Sequence, residues 1–189
     1  MSDLWWFYTI ILGGAFGSIA ASIAVQWKTR LVSGGSLHWP TLLWQIFLLI
    51  LTVQVWIAVG YYQKSVHETS ILGLLAFLWV PLGILILSIF LADQWWNGDG
   101  GHPDDHRFGR LRRAFFSVLF LIPVVNLVHE AFLGSLGWDA DTFFPVAIAV
   151  GAVVGLFIRS HRADTVLAAV MTAVIAVYLV GYYGSVAVI

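Results

Sequence analysis

The sequence predicts an all-α fold, a polytopic transmembrane helix bundle with about six spans in a single domain over residues 1–189. Three observations predict it. The chain is 60% apolar and only 10% charged, whereas a soluble domain needs about 25% charged residues to wet its surface. Its apolar residues fall into six stretches, each near the ~20 residues that a ~30 Å hydrocarbon core requires. Its basic residues fall almost wholly in alternate connections between those stretches, as the positive-inside rule expects. Period-2 alternation is absent, so helices, which satisfy their own backbone groups in lipid, are preferred to a barrel.

The first stretch runs from Trp5 to about Trp27. The opening Met1-Ser2-Asp3-Leu4 has no basic region, and no small-x-small cleavage pattern follows the apolar run, so a retained helix is expected rather than a signal peptide. The second stretch spans Trp39 to Tyr62 and carries Gln45 and Gln54. These lie roughly two and a half turns apart and face nearly opposite ways, which suits single interhelical hydrogen bonds rather than one polar stripe. The third spans Ser70 to Ala92 around Pro81. Residues 93–113 follow, rich in glycine and charge at Asn97-Gly98-Asp99-Gly100-Gly101-His102-Pro103, and are expected to form a flexible cytoplasmic loop. The fourth stretch covers 114–134 around Pro123, the fifth runs from Thr142 to Ile158, and the sixth from Thr165 to about Val186. Trp5, Trp6, Trp27, Trp39, Trp95, Trp96 and Trp138 stand near span ends, where an amphipathic indole is favoured. Trp44, Trp56 and Trp79 lie deeper and require either a partner for the indole N–H or a packed interior.

Charge sets an expected orientation. Lys28, Arg30, Arg107, Arg110, Arg112, Arg113, Arg159 and Arg162 sit in connections one, three and five, and only Lys64 lies opposite. This places the odd connections in the cytoplasm and both termini outside, which an even number of spans requires. Net charge is −1, so no global basic field points to nucleic acid. The absence of cysteine excludes disulfides, thiolate metal sites and a cysteine nucleophile.

Small residues mark close packing. Gly13, Gly17 and Ala21 recur every four residues on the first helix, as do Ala147, Gly151 and Gly155 on the fifth. That spacing lets another backbone approach, within one bundle or between subunits.

Polar residues within spans are the candidates for function. Asn126, His129 and Glu130 stand at i, i+3 and i+4 and share a face of the fourth helix. Glu130 lies about 25 Å along that helix from Arg113, in the outer third of the bilayer. Ionisable groups there mark an ion or solute path, or an outer-interface cluster that meets headgroups. Arg107, Arg110, Arg112, Arg113, Arg159 and Arg162 are expected to form a collar that contacts anionic lipid headgroups, or else an acidic partner. His102, Asp104, Asp105 and His106 are ligand types suited to a divalent metal, against which stands an ordinary solvated loop. No cofactor is specified, and haem finds little support because His129 is the one histidine well inside a span.

One pattern extends beyond single residues. His38, Trp39, Leu42, Leu43 and Trp44, then Gln54 and Trp56, and finally Arg112-Arg113-Ala114-Phe115-Phe116 at the entry to the fourth span are similar to a group of small bacterial polytopic membrane proteins. The likeness covers roughly residues 20 to 135 and is a loose apolar and tryptophan pattern. It implies a bacterial inner-membrane setting; the group has no assigned activity and so contributes no catalytic residue.

Three functions are compatible with these residues. The first is a channel or transporter for ions or small solutes, acting as a homo-oligomer, with its path near Asn126, His129 and Glu130. The second is an accessory subunit packed among other membrane subunits, as in a respiratory or photosynthetic complex. A membrane enzyme acting on lipids ranks third, because no nucleophile with a neighbouring base and no metal box is visible.

Overall fold

The computed structural model describes residues 2–34, 38–65, 71–96, 105–133, 137 and 140–183. They form six helices: α1 (Ser2–Ser33), α2 (Trp39–Ser65), α3 (Ile71–Trp96), α4 (Asp105–Leu133), α5 (Ala140–Phe157) and α6 (His161–Tyr178). A π-helical turn, Leu179–Tyr183, continues α6. The all-helical reading is observed directly, because apolar residues on every side of each rod leave no reason for period-2 pairing.

Segments of four helices are long and apolar enough to cross a membrane: Trp5–Val32, Trp39–Val59, Leu111–Phe132 and His161–Gly181. These are the features of a membrane protein. The apolar stretches of α3 and α5, Phe77–Ala92 and Thr142–Phe157, are shorter. These bounds cover the described side chains only; α3 itself runs for 26 residues. Among the described residues, four helices are thus long and apolar enough to cross a membrane, where the sequence predicts six spans.

The connection expected at 93–113 is shorter than predicted. Residues 93–96 continue α3, and α4 already begins at Asp105, ahead of its apolar part. His102 and Asp104 lie outside the described residues. Asp105 and His106 open α4, with side chains that are likewise not described.

Spatial order differs from chain order. α1 packs on α3 and α2, α3 on α4, α4 on α5, α5 on α6, and α6 returns to α2, while α2 also touches α3. This circuit encloses a core of Ile19, Trp44, Phe47, Ile84, Leu87, Phe115, Phe116 and Leu119, all fully buried. Its centre is aromatic. Trp44 meets Phe47, Phe115 and Phe116 edge-on at 5.6, 5.4 and 5.3 Å, and Phe115 meets Phe116 at 5.3 Å. Edge-to-face packing at these separations is favourable beyond the area it buries. Large apolar side chains also cover the outside, among them Ile10, Phe132, Phe157 and Val177. A bundle whose exterior is as apolar as its interior fits lipid as its solvent.

The three deep tryptophans fare differently. Trp79 on α3 donates its indole N–H to the Leu121 carbonyl of α4 at 3.3 Å. That carbonyl lies two residues before Pro123, whose ring removes a donor from the same stretch of α4. Trp44 is enclosed, and Trp56 is exposed.

The two small-residue seams face different surroundings. Gly151 and Gly155 are buried, and a Cβ at either would overlap Met171 of α6 or the Phe116 ring of α4. Gly13 and Gly17 have no side chain or foreign backbone within 4 Å of where a Cβ would stand, and Ala21 is exposed beside them. The α1 seam thus points out of the monomer. Gly155→Ala should lower stability by about 1–3 kcal/mol, because Phe116 is wedged between Trp44 and Phe115 and cannot yield. Gly17→Ala should instead be neutral or gain up to about 1 kcal/mol from helix propensity. Thermal unfolding of the two purified variants in the same detergent checks the contrast.

Candidate functional site

Local helix geometry decides which arginine enters the bundle. On α4, positions 112, 116, 119 and 123 share one face, and Phe116, Leu119 and Pro123 on that face are buried. Arg112 is therefore carried inward, with only 13% of its side chain exposed. Arg113, one position and ~100° further round, is exposed. The sequence reading placed Arg112 in the headgroup collar; the structure leaves it partly buried and turned toward α5 and α6. Arg113, Arg159 and Arg162 are exposed, and the side chains of Arg107 and Arg110 lie outside the described residues.

Arg112 meets the two helix ends that flank the α5–α6 turn. Its Nη2 donates to the Gly155 carbonyl at 3.0 Å, close to the C-terminus of α5. The last carbonyls of a helix lack intrahelical donors, and a cation there also complements the helix dipole. The same nitrogen reaches Oδ1 of Asp164 at 3.4 Å. Asp164 lies in the first turn of α6, where the dipole favours a carboxylate, and its side chain is 5% exposed. The guanidinium also stands 5.3 Å from the centroid of the Phe116 ring, a separation suited to cation–π attraction. Its Nε–H is buried without a partner.

Further polar groups surround Asp164. The Trp44 indole is directed at the carboxylate without completing a hydrogen bond, and His161 and His38 lie within electrostatic reach. The two imidazoles meet edge-on at 4.9 Å, and His38 Nδ1 stands 2.6 Å from the Thr41 hydroxyl. His161 is exposed, His38 half-buried and Asp164 buried, so the cluster descends from the arginine-bearing surface into the bundle.

A second polar group joins α1 to α2. Gln26 donates to Gln45 Oε1 at 2.8 Å, and Gln45 donates to the Ser22 hydroxyl at 2.8 Å. All three residues are buried, and Gln26 Oε1 has no partner. On the neighbouring pair α2–α6, the Thr172 hydroxyl lies 3.3 Å from the Leu43 carbonyl and 2.7 Å from that of Ala168. Gln54 on α2 is also buried.

The predicted outer site lies at the opposite end of α4. Asn126 Nδ2 donates to Glu130 Oε1 at 2.8 Å, and both side chains are partly buried. His129 is partly buried on the same turn. Between this pair and Arg112 run Phe116, Leu119, Ile122 and Pro123, all buried and apolar. α4 therefore carries ionisable groups at both ends, separated by a close-packed middle.

Sequence reasoning located Asn126 and Glu130 but missed Asp164, His38 and His161 as members of one site. The only local signal was an acidic residue at the N-terminus of an apolar helix. No spacing rule connects it with an arginine 52 positions earlier. Among the described residues no group of three or more His, Asp or Glu is arranged to hold a metal ion. No protein-family model, curated protein or solved structure matches the chain.

Asp164→Ala should destabilise the protein by about 3–5 kcal/mol, since it leaves a buried guanidinium without its counter-charge. The double change Arg112→Leu with Asp164→Leu should cost far less than that, because it removes both charges together. Denaturation of the two variants beside the wild type in detergent, read by tryptophan fluorescence, distinguishes a buried pair from a solvated one.

Proposed function

We propose that this chain is a small transporter of ions or small solutes that works as an oligomer in a bacterial inner membrane. The observation that carries the reading is the Arg112–Asp164 ion pair enclosed in an apolar bundle. Burying ionisable groups inside a bundle is costly, and such groups line ion and solute paths. The Asn126–Glu130 pair at the far end of α4 supplies a second polar station on the same helix. The aromatic middle is closed in this conformation, which suits a carrier that exposes its two stations in turn rather than an open pore.

In this reading α3 and α5 cross with the other four helices, making six spans. The arginine-bearing turns face the cytoplasm and both termini lie outside. The outward seam of Gly13, Gly17 and Ala21 supports contact between subunits. The likeness of residues 20 to 135 to small bacterial membrane proteins supports the setting.

Proteoliposomes should show flux of small ions above protein-free vesicles, with Glu130→Gln and Asp164→Asn each lowering it about tenfold or more. Flux equal to protein-free vesicles, or unchanged in both variants, overturns the reading. Native mass spectrometry from detergent should give a homo-oligomer; co-purification with other subunits would favour the accessory role. Cysteines placed at Gly34 and Arg159 should be labelled by an impermeant maleimide only after cell lysis, as cytoplasmic turns require.

A further inference from the structure

The donors of Arg112 are incompletely used. A guanidinium presents its N–H groups as a planar fork, and the Nε–Nη2 edge matches the two oxygens of a carboxylate or phosphate. Here that edge is occupied on one side only. Nη2 divides its donors between the Gly155 carbonyl and a long, single contact to Asp164, while Nε–H is buried and unpaired. The guanidinium is held beside the Phe116 ring and by the Gly155 carbonyl at the end of α5. An unpaired charged donor in an apolar interior is unfavourable, so Nε–H is set to take an acceptor.

We propose that Arg112 binds a small oxyanion, a carboxylate or phosphate group, on its Nε–Nη2 edge in exchange for the Asp164 carboxylate. Three features favour this ligand class. The edge has the geometry for bidentate oxyanion binding, which Asp164 does not supply. The displaced carboxylate belongs to the first turn of α6, so an anion near its position meets the same favourable helix field. Arg113, Arg159 and Arg162 are exposed at this end of the bundle and concentrate anions at its mouth.

The exchange has a charge balance. The described charged and titratable groups about Asp164 are Arg112 from α4, His38 ahead of α2 and His161 from α6. When the oxyanion takes the edge, the Asp164 carboxylate loses its counter-ion in an apolar interior and binds a proton from water. One anion and one proton enter together, so the charge of the site is unchanged. This deepens the transport reading, on which it rests for its role, by giving the solute a chemical class and a coupled ion.

Binding tests it separately from flux. The full chain in neutral detergent, stripped of lipid, is titrated with inorganic phosphate and with acetate at pH 6, by calorimetry in two buffers of different ionisation enthalpy. Saturable binding with uptake of about one proton per anion is expected. Asp164→Asn removes the competing charge while keeping the side-chain shape, and should bind about tenfold more tightly without proton uptake. Arg112→Gln should bind at least about tenfold more weakly. If free anions do not bind but a short-chain phosphatidylglycerol does, with the same dependence on both residues, the oxyanion is a lipid headgroup. Absence of binding to any of these probes by both wild type and Asp164→Asn overturns the inference. So does binding that is unaffected in Arg112→Gln or no tighter in Asp164→Asn. Binding without flux would remove the transport reading and leave the site; flux without binding would do the reverse.

Discussion

A guanidinium enclosed by apolar side chains must find acceptors and a counter-charge, and one end of this bundle is organised around that need. Arg112 takes its neutral acceptor from the end of α5 and its counter-ion from the start of α6, so one side chain joins α4 to both helices beside the α5–α6 turn. Gly155 serves twice. Its carbonyl accepts from Arg112, and its missing side chain admits the Phe116 ring over which the guanidinium sits. Phe116 in turn seats Trp44 and Phe115, the aromatic centre of the core. Charge placement and core packing at this end are therefore one arrangement.

The distribution of polarity along α4 is what gives the bundle two ends. Arg112 and the Asn126–Glu130 pair lie on opposite sides of a buried apolar stretch, Phe116 to Pro123. Lipid offers no compensation for polar groups, so each polar residue retained inside a bundle has to find its partner there. Ser22, Gln26 and Gln45 show the same rule between α1 and α2, where each amide is directed at another side chain. Pro81 and Pro123 each remove one backbone donor from the α3–α4 pair, where Trp79 donates across to the Leu121 carbonyl.

The helices were legible in the sequence to within a few residues for α2, α5 and the apolar part of α4, because length and uniform apolarity are properties of a local run. The polar extension of α4 back to Asp105 was not, since glycine, proline and charge ahead of it read as loop. Within the site, Asn126 and Glu130 could be paired by i, i+4 spacing on one helix. The two glycine seams were equally visible but not distinguishable. Gly155 meets Phe116, whereas Gly17 meets nothing, and that depends on where α4 and α1 lie in the circuit of helices.

By itself the sequence determined that this chain dissolves in lipid as helices and that its basic residues gather in alternate turns, because composition and periodicity act over a single helix length. Tertiary structure alone decided which arginine leaves the surface and which carboxylate receives it. Arg112 and Asp164 are brought together only because α4, α5 and α6 are successive neighbours in the bundle. Neighbour choice among six apolar rods is settled by side-chain fit and charge compensation, which no local pattern encodes.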